Sequence, residues 1–336
     1  MSGYRVAVLG TGAVGQELLR ILEERRFPVA ELRLLATSRS AGQKVTWKGE
    51  THTIKEVEPA DFEGVQVAFF AASTGASKEL APEAARRGAV VVDKSNAWRM
   101  DDTVPLVVPE VNGEAVEKHR GIIASPNCST IQMVVAIKPI HDAARLTRVV
   151  VSTYQSVSGT GREAMEELSR QTRQIVDAEP VTRSVYPYQI AFNLLPHIDA
   201  FEPNGYTGEE MKMTRETRKI MGLPELPVAA TTVRVPVYIS HSESVLVETE
   251  RKLTVAEARE ILSRAPGVTV QDDPSRNVYP LPLDAAGQDD VFVGRIREDL
   301  SSPRGLHLWV VSDNLRKGAA TNAVQVAEEL IRRRLL

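Results

Sequence analysis

The sequence predicts an α/β chain of two domains: an N-terminal parallel-sheet domain of Rossmann type, then an α+β domain with a mainly antiparallel sheet. Three observations predict it. A glycine-rich turn lies between a strand and a helix near the start. The first 125 residues alternate short apolar runs with helical patterns, as in a parallel sheet covered on both faces. From about residue 147 the runs instead alternate apolar with polar residues, as in a half-exposed antiparallel sheet. The length of 336 residues exceeds what one core usually organises, and 43% hydrophobic with 25% charged residues is ordinary for a globular chain.

In the first part the candidate strands are 4–9, 32–36, 66–71, 89–92, 105–108 and 121–124, with helices at 14–26 and 76–87. Gly10-Thr11-Gly12-Ala13-Val14-Gly15 follows the first of these strands directly, and Val14, Leu18, Ile21 and Leu22 then share one helical face. In that setting the glycines allow a tight turn and let a pyrophosphate approach free N–H groups at the helix N-terminus. An NAD enzyme places Asp or Glu at the end of the second strand to hold the ribose 2′-hydroxyl. Here Leu34–Ala36 is followed by Ser38, Arg39 and Ser40, a cation with hydroxyls, which favours NADP(H).

In the second part the alternating segments are 148–157, 233–239, 244–250, 290–297 and 306–311, with helices expected at 161–177 and 208–221. The Ser301–Gly305 turn joins the last two strands. An amphipathic helix over 317–335 is expected to return to the first domain. The division expected is 1–127 with 314–336 for the cofactor, and 128–313 for chemistry and dimerisation.

A single cysteine, Cys128, stands in SerProAsnCysSerThr between a strand-like and a helix-like stretch. One thiol forms no internal disulfide. Asn127 is the candidate N-cap of a helix from Cys128 toward Lys138, which Pro139 should end or kink. A thiol in that first turn meets the positive end of the helix dipole, which favours thiolate. A thiolate and a nicotinamide together indicate addition to an aldehyde, hydride transfer and a thioester. His241, where a strand gives way to a polar turn, is a candidate acid/base. No metal-ligand cluster, repeat or low-complexity tract is present. A net charge of −3 gives no basic footprint for nucleic acid, and no apolar run approaches a membrane span. The chain enters a strand almost at once without a signal peptide, so a cytoplasmic location is expected.

Five motifs in order carry a closer likeness: residues 125–130, TyrGlnSerValSerGlyThrGly at 154–161, AsnLeuLeuProHisIleAsp at 193–199, the acidic-basic run at 209–219, and ArgValProValTyrIleSerHisSerGluSer at 234–244. Over nearly the whole chain the sequence resembles the bacterial branch of the aspartate-semialdehyde dehydrogenase family. The resemblance implies Cys128 as acyl-forming nucleophile, His241 as acid/base and Gln155 as the group orienting the reacting centre. It implies Arg234 for the substrate carboxylate and Glu209 for its ammonium. Arg99, Lys212 and Asn127 would bind phosphate, the inorganic co-substrate. Thr11–Val14 would lie on the pyrophosphate, Arg39 and Ser40 on the 2′-phosphate, and Ser73 and Gly75 along the dinucleotide. Ser158, Gly159 and Asn314 would lie on the nicotinamide side. It further implies a small-molecule substrate, a homodimer, and a place in lysine, threonine and methionine synthesis.

Lys94 and Asn96 depart from the small polar residues expected before Arg99. Strict strand alternation would put Arg234 and His241, seven apart, on opposite faces; Pro236 points to a bulge or strand end between them. The rival enzyme is an N-acetyl-glutamyl-phosphate-type acyl-phosphate reductase, which should lack the Glu209–Lys212 pair because an acetylated amine carries no charge. The rival outside enzymology is a non-catalytic NADP(H)-binding protein with Cys128 merely packed.

Overall fold

A computed structural model describes residues 3–336, apart from the side chain of Arg39. The chain forms two compact units. One comprises the residues up to Pro126 with Ala319–Leu336, the other Asn127–Gly318.

The first unit runs β1 (Tyr4–Leu9), α1 (Ala13–Glu24), β2 (Val29–Ala36), β3 (Lys44–Trp47), β4 (Glu50–Thr53), β5 (Lys55–Glu56), β6 (Val67–Phe70), α2 (Thr74–Arg86), β7 (Val90–Asp93), the one-turn α3 (Pro109–Asn112) and β8 (Ile122–Ala124). Six strands make one parallel sheet in the order β5-β2-β1-β6-β7-β8. Strand order reverses beside β1, whose carboxyl end feeds the glycine turn, so the turn stands at the switch point where open α/β sheets take ligands. The strands are buried on both faces because helices cover both, which is why β6 and the three valines of β7 read as unbroken apolar runs.

Residues 105–108 form no strand; Leu106 makes only an isolated bridge to Ala124. Pro105 lacks the N–H a ladder would need, and its carbonyl instead accepts from Ala124. The β3–β4 hairpin is not among the expected elements: β3 alternates over only four residues, LysValThrTrp, and β4, GluThrHisThr, has no apolar residue.

The second unit runs α4 (Cys128–Ala144), β9 (Leu146–Gln155), α5 (Arg162–Val176), α6 (Gly208–Met221), β10 (Val228–Arg234), β11 (His241–Thr249), α7 (Val255–Ser263), β12 (Val268–Val270), the short α8 (Pro282–Ala285), β13 (Val291–Glu298) and β14 (Gly305–Ser312). The sheet order is β10-β9-β11-β14-β13-β12. Its three central pairings are antiparallel, while β10 on β9 and β12 on β13 are parallel.

One expected strand is displaced here, and of the two outcomes expected at Pro139, an end or a kink, the end does not occur. The strand expected at 233–239 lies at Val228–Arg234, because Pro236 interrupts the ladder after it. Pro139 does not end α4, which continues to Ala144. Its helix is sheathed by buried Val134, Val135, Ile137 and Ile140, and that packing outweighs the hydrogen bond Pro removes.

A π-helical turn, Arg316–Ala320, leads into α9 (Thr321–Arg332). Ala323, Val324, Val326, Ala327 and Leu330 of α9 are buried in the core of the first unit with Val6, Val8 and Leu22. Asn322 ties the helix down, donating from Nδ2 to the Val107 carbonyl and to Ser125 Oγ, both at 3.0 Å.

Candidate active site

The glycine turn of the first unit is shaped by missing side chains. Gly10 sits at φ +99°, and a Cβ there would lie 2.3 Å from the Ala71 carbonyl oxygen. A Cβ on Gly15 would lie 2.0 Å from the Gly10 carbonyl oxygen, so helix and turn close on each other only with glycine at both points. At Gly12 the opposite holds: a Cβ there would meet nothing within 4 Å. Gly12 is the N-cap of α1 and supplies no side chain to the first N–H groups. A closed turn below an open face, with helix N–H groups pointing out, fits a dinucleotide pyrophosphate. Thr11, Ala13 and Val14 lie in the same turn. After β2 comes a short turn, Ser38–Ser40, with no acid in it. The side chain of Arg39 lies outside the described residues. Ser73 caps α2, accepting the Ala76 N–H at 3.3 Å, and Gly75 opens onto free space as Gly12 does. Arg99 belongs to this unit, is 6% exposed, and donates from Nη2 to the Lys94 carbonyl at 2.7 Å.

In the second unit Cys128 begins α4, with Asn127 at the N-cap position. The Asn127 side chain does not cap the helix, contrary to the expectation. It is drawn to α6, where Nδ2 donates to Glu209 Oε1 at 2.8 Å, while the Asn127 backbone N–H donates to Glu216 Oε2 at 2.7 Å. The first turn of α4 therefore keeps N–H groups without a side-chain cap around the thiol, and these favour negative charge there.

His241 Nε2 stands 3.3 Å from Cys128 Sγ. His241 is fully buried, and its Nδ1 accepts the backbone N–H of Ser156 at 3.0 Å. Nδ1 thus presents a lone pair, which puts the proton of the neutral ring on Nε2, facing the sulfur. Ser156 and Ser158 hydroxyls and the Ser240 N–H all donate to Asn314 Oδ1, at 3.1, 3.0 and 2.9 Å. Asn314 consequently fastens two loops, that of Ser156 and Ser158 and that of Ser240, around the histidine.

Arg234 ends β10 and His241 begins β11, so strand alternation does not relate them. Both converge on Gly159, where a Cβ would lie 3.0 Å from Arg234 Nη1 and 3.4 Å from His241 Nε2. Arg234 Nη1 donates to the Ser156 carbonyl at 2.7 Å, and its buried Nε has no partner. A buried guanidinium with an unspent N–H is suited to a carboxylate. Gln155, paired with Arg234 across the two strands, donates from Nε2 to Glu209 Oε1 at 3.1 Å. Glu209 Oε2 lies 3.5 Å from Lys212 Nζ, which also donates to Asp199 Oδ2 at 2.6 Å. Burial opposes ionisation of Asp199, but hydrogen bonds from Lys212 and the Ala200 N–H outweigh it and hold the carboxyl below its ordinary range.

Cys128, His241, Gln155, Arg234, Glu209, Lys212, Asn127, Ser158, Gly159 and Asn314 all fall within the second unit. Four further contributors were not singled out from the sequence: Ser156, Glu216, Asp199 and Gly318. A Cβ on Gly318 would lie 2.8 Å from Cys128 Cβ, so only glycine lets the π-helical turn pass the cysteine. Ser156, Glu216 and Gly318 are each defined by a partner far away in the chain, and Asp199 by Lys212 on α6. Among the described residues no group of His, Cys, Asp and Glu could hold a metal ion, and no helix is long and apolar enough to cross a membrane.

Comparison with known proteins bears on this geometry. Residues 5–119 match the semialdehyde dehydrogenase NAD-binding domain, and 137–317 the semialdehyde dehydrogenase dimerisation domain. The aspartate-semialdehyde dehydrogenase of Bacillus subtilis is 56% identical, covering 98% of this chain and 97% of the relative. That of Aquifex aeolicus is 55% identical, over 99% and 100%. A crystal structure of aspartate-semialdehyde dehydrogenase II from Vibrio cholerae, complexed with ASA, superposes with a TM-score of 0.96 at 47% identity, covering 99% of each chain.

Proposed function

The chain belongs to the aspartate-semialdehyde dehydrogenase family, and from that premise we propose that it reduces 4-phosphoaspartate to aspartate 4-semialdehyde and phosphate with NADPH, reversibly. The observation that carries the residue assignment is the Cys128–His241 contact at 3.3 Å, with His241 Nδ1 committed to Ser156.

In the biosynthetic direction the Cys128 thiolate attacks the acyl carbon, the bond from carbon to the phosphate oxygen breaks, and phosphate departs. The nicotinamide, when bound, supplies the hydride that reduces the resulting thioester. Negative charge then develops on the former carbonyl oxygen, and the His241 Nε2–H is the donor placed to meet it. Collapse breaks the C–S bond and returns Cys128 as thiolate. In the reverse direction thiolate addition to the aldehyde gives the same oxyanion, and the His241 Nε2–H meets it before hydride leaves. Arg234 holds the α-carboxylate through its unspent Nε–H. Glu209 meets the α-ammonium, with Gln155 and Asn127 fixing it. Lys212 and Arg99 are each assigned to phosphate by the family likeness. The Glu209–Lys212 pair favours this substrate over an N-acetylated one, whose amide has no charge for Glu209 to meet.

NADP(H) is assigned to the first unit, residues 1–127 with 314–336, supported by the open turn at Gly12 and the missing acid after β2. Residues 128–313 carry the chemistry and a homodimer contact, a reading supported by the dimerisation-domain match. A cytoplasmic location and a role in lysine, threonine and methionine synthesis belong to the same reading. The test is NADP⁺ reduction with aspartate semialdehyde, with and without phosphate, for wild type and Cys128→Ala. We expect turnover that needs both phosphate and Cys128, and unchanged NADPH binding in the variant. Turnover without phosphate, or a Cys128→Ala enzyme that stays active, overturns the mechanism.

A further inference from the structure

Directly behind the catalytic residues lies a carboxyl that the mechanism does not use. Arg234 and Gln155 are cross-strand partners on β10 and β9. Two residues back along these strands, and so on the same face, Thr232, Thr153 and Glu243 form the next cross-strand row. Glu243 stands two residues beyond His241 on β11. All three members of that row are 0% exposed. Neither oxygen of Glu243 accepts a hydrogen bond of good geometry, the Gln132 amide standing nearby, and Thr232 Oγ1 has no partner.

The neighbouring carboxyl is treated quite differently. Glu209 receives Asn127 Nδ2, Gln155 Nε2 and Lys212 Nζ. Two carboxyl groups close together in a buried site do not both ionise, and the one with donors keeps the charge. Three donors meet Glu209, whereas the Gln132 amide alone acts on Glu243.

We infer that Glu243 is a positioning residue of the proposed reaction, a carboxyl that stays protonated at neutral pH and so leaves Glu209 as the single charged carboxylate offered to the substrate ammonium. A second negative charge in this row would also hold the Cys128 thiol proton more tightly, weakening the nucleophile. The electrostatics agree. Burial pushes the Glu243 carboxyl well above its usual range, Glu209 pushes it further, and the Gln132 amide of α4 opposes both. The titratable or charged side chains around it are Glu209 with Lys212 on α6, His241 on its own strand, Arg234 on β10 and Cys128 on α4. β9 presents Thr153, and β14 presents Val310 opposite Glu243.

The inference rests on the reading of Glu209 as the ammonium's partner, so the experiment includes readouts that do not depend on turnover. Glu243→Gln mimics the neutral acid. Its kcat/KM at pH 7 should stay within about threefold of wild type, and the pH midpoint of Cys128 alkylation by iodoacetamide within about 0.3 units. A carboxyl raised in the folded state stabilises most below its unfolded pKa and loses that contribution as pH rises toward the folded value. The melting temperature of wild type should therefore fall relative to Glu243→Gln between pH 5 and pH 8. A wild-type melting temperature that does not fall relative to Glu243→Gln over that range, or a tenfold loss of kcat/KM with a moved alkylation midpoint, overturns the proposal. Should Glu243→Gln not fold, infrared spectra of wild type and Glu243→Asp decide it. An un-ionised carboxylic C=O band at pH 7 that the Asp variant shifts supports the proposal, and its absence overturns it.

Discussion

The two functional regions of this molecule are built by opposite means. In the first unit the candidate cofactor turn works by leaving atoms out: Gly10 and Gly15 let backbone meet backbone, and Gly12 leaves a helix end bare. In the second unit the site works by putting side chains in. Cys128 is held among Asn127, His241, Gln155, Glu209 and Arg234, which come from α4, α6, β9, β10 and β11. Local geometry suffices for the first site, whereas the second depends on sheet register and on a chain of hydrogen bonds. A perturbation should therefore act differently in each: on shape in one, on charge and orientation in the other.

Gly10→Ala is the severest probe of the first kind. The new methyl would need both a left-handed backbone and room where the Ala71 carbonyl already stands. Strain of about 1–3 kcal/mol is the minimum, before any movement of the turn. We expect NADPH affinity to fall by at least about tenfold, since 1.4 kcal/mol is a factor of ten. The Cys128 alkylation rate, which reports the second unit alone, should stay unchanged. Loss of both would show that the two regions are not separable in this way.

Arg234→Lys probes the second kind. The substitution keeps the charge but removes the planar fork that lets one guanidinium donate to the Ser156 carbonyl while leaving Nε for a substrate carboxylate. Losing one charge-assisted hydrogen bond is worth about 1.5–3 kcal/mol, so KM for the semialdehyde should rise by roughly 10- to 100-fold. KM for NADPH should not move. An unchanged semialdehyde KM would remove Arg234 from the substrate site.

The same contrast explains what the sequence made legible. The glycine turn, α1 and β1 are contiguous, so spacing alone located them. The helix expected at 208–221 forms, and the structure shows both its ends marked locally, with Thr207 and Glu210 in a capping box and Gly222 in the left-handed region. The strand at Val228–Arg234 was misplaced because apolar alternation continues through residues 233–239, although Pro236 forbids pairing there. Family likeness gave Cys128 and His241 their roles, but the residues themselves were legible, Cys128 as the single cysteine at a helix start and His241 as a histidine at a strand's edge. Ser156, Glu216 and Gly318 were not, because each matters through a backbone N–H or a close approach 85, 89 or 190 residues away in the chain. Asn127 shows the same limit: its residue type and position spell a helix cap, and a carboxylate 82 residues downstream takes its side chain instead.

A third probe leaves both sites alone and sets a lower bound on what counts as functional. Glu167 on α5 is fully buried and holds the segment after that helix. Its Oε2 accepts from Ser184 N–H and Oγ–H at 2.6 Å each and from the Val185 N–H at 2.7 Å, and Oε1 accepts the Tyr186 N–H at 3.3 Å. Burial opposes its ionisation, but these donors outweigh burial and hold the carboxyl below its ordinary range. A carboxylate so depressed contributes stability above its unfolded pKa of about 4.3 and loses it as pH falls through the folded value. Glu167→Gln turns an amide N–H toward one of these donors, costing about 1–3 kcal/mol at pH 7. Denaturant unfolding should show that difference at pH 7 and a smaller one near pH 4, because wild type gives up its own contribution there while Gln has none to lose. Turnover per folded molecule should remain within about twofold of wild type, an effect within the usual ±0.5 kcal/mol of substitutions that touch no functional group. A large kcat loss at full stability would instead draw the 184–186 segment into the substrate site.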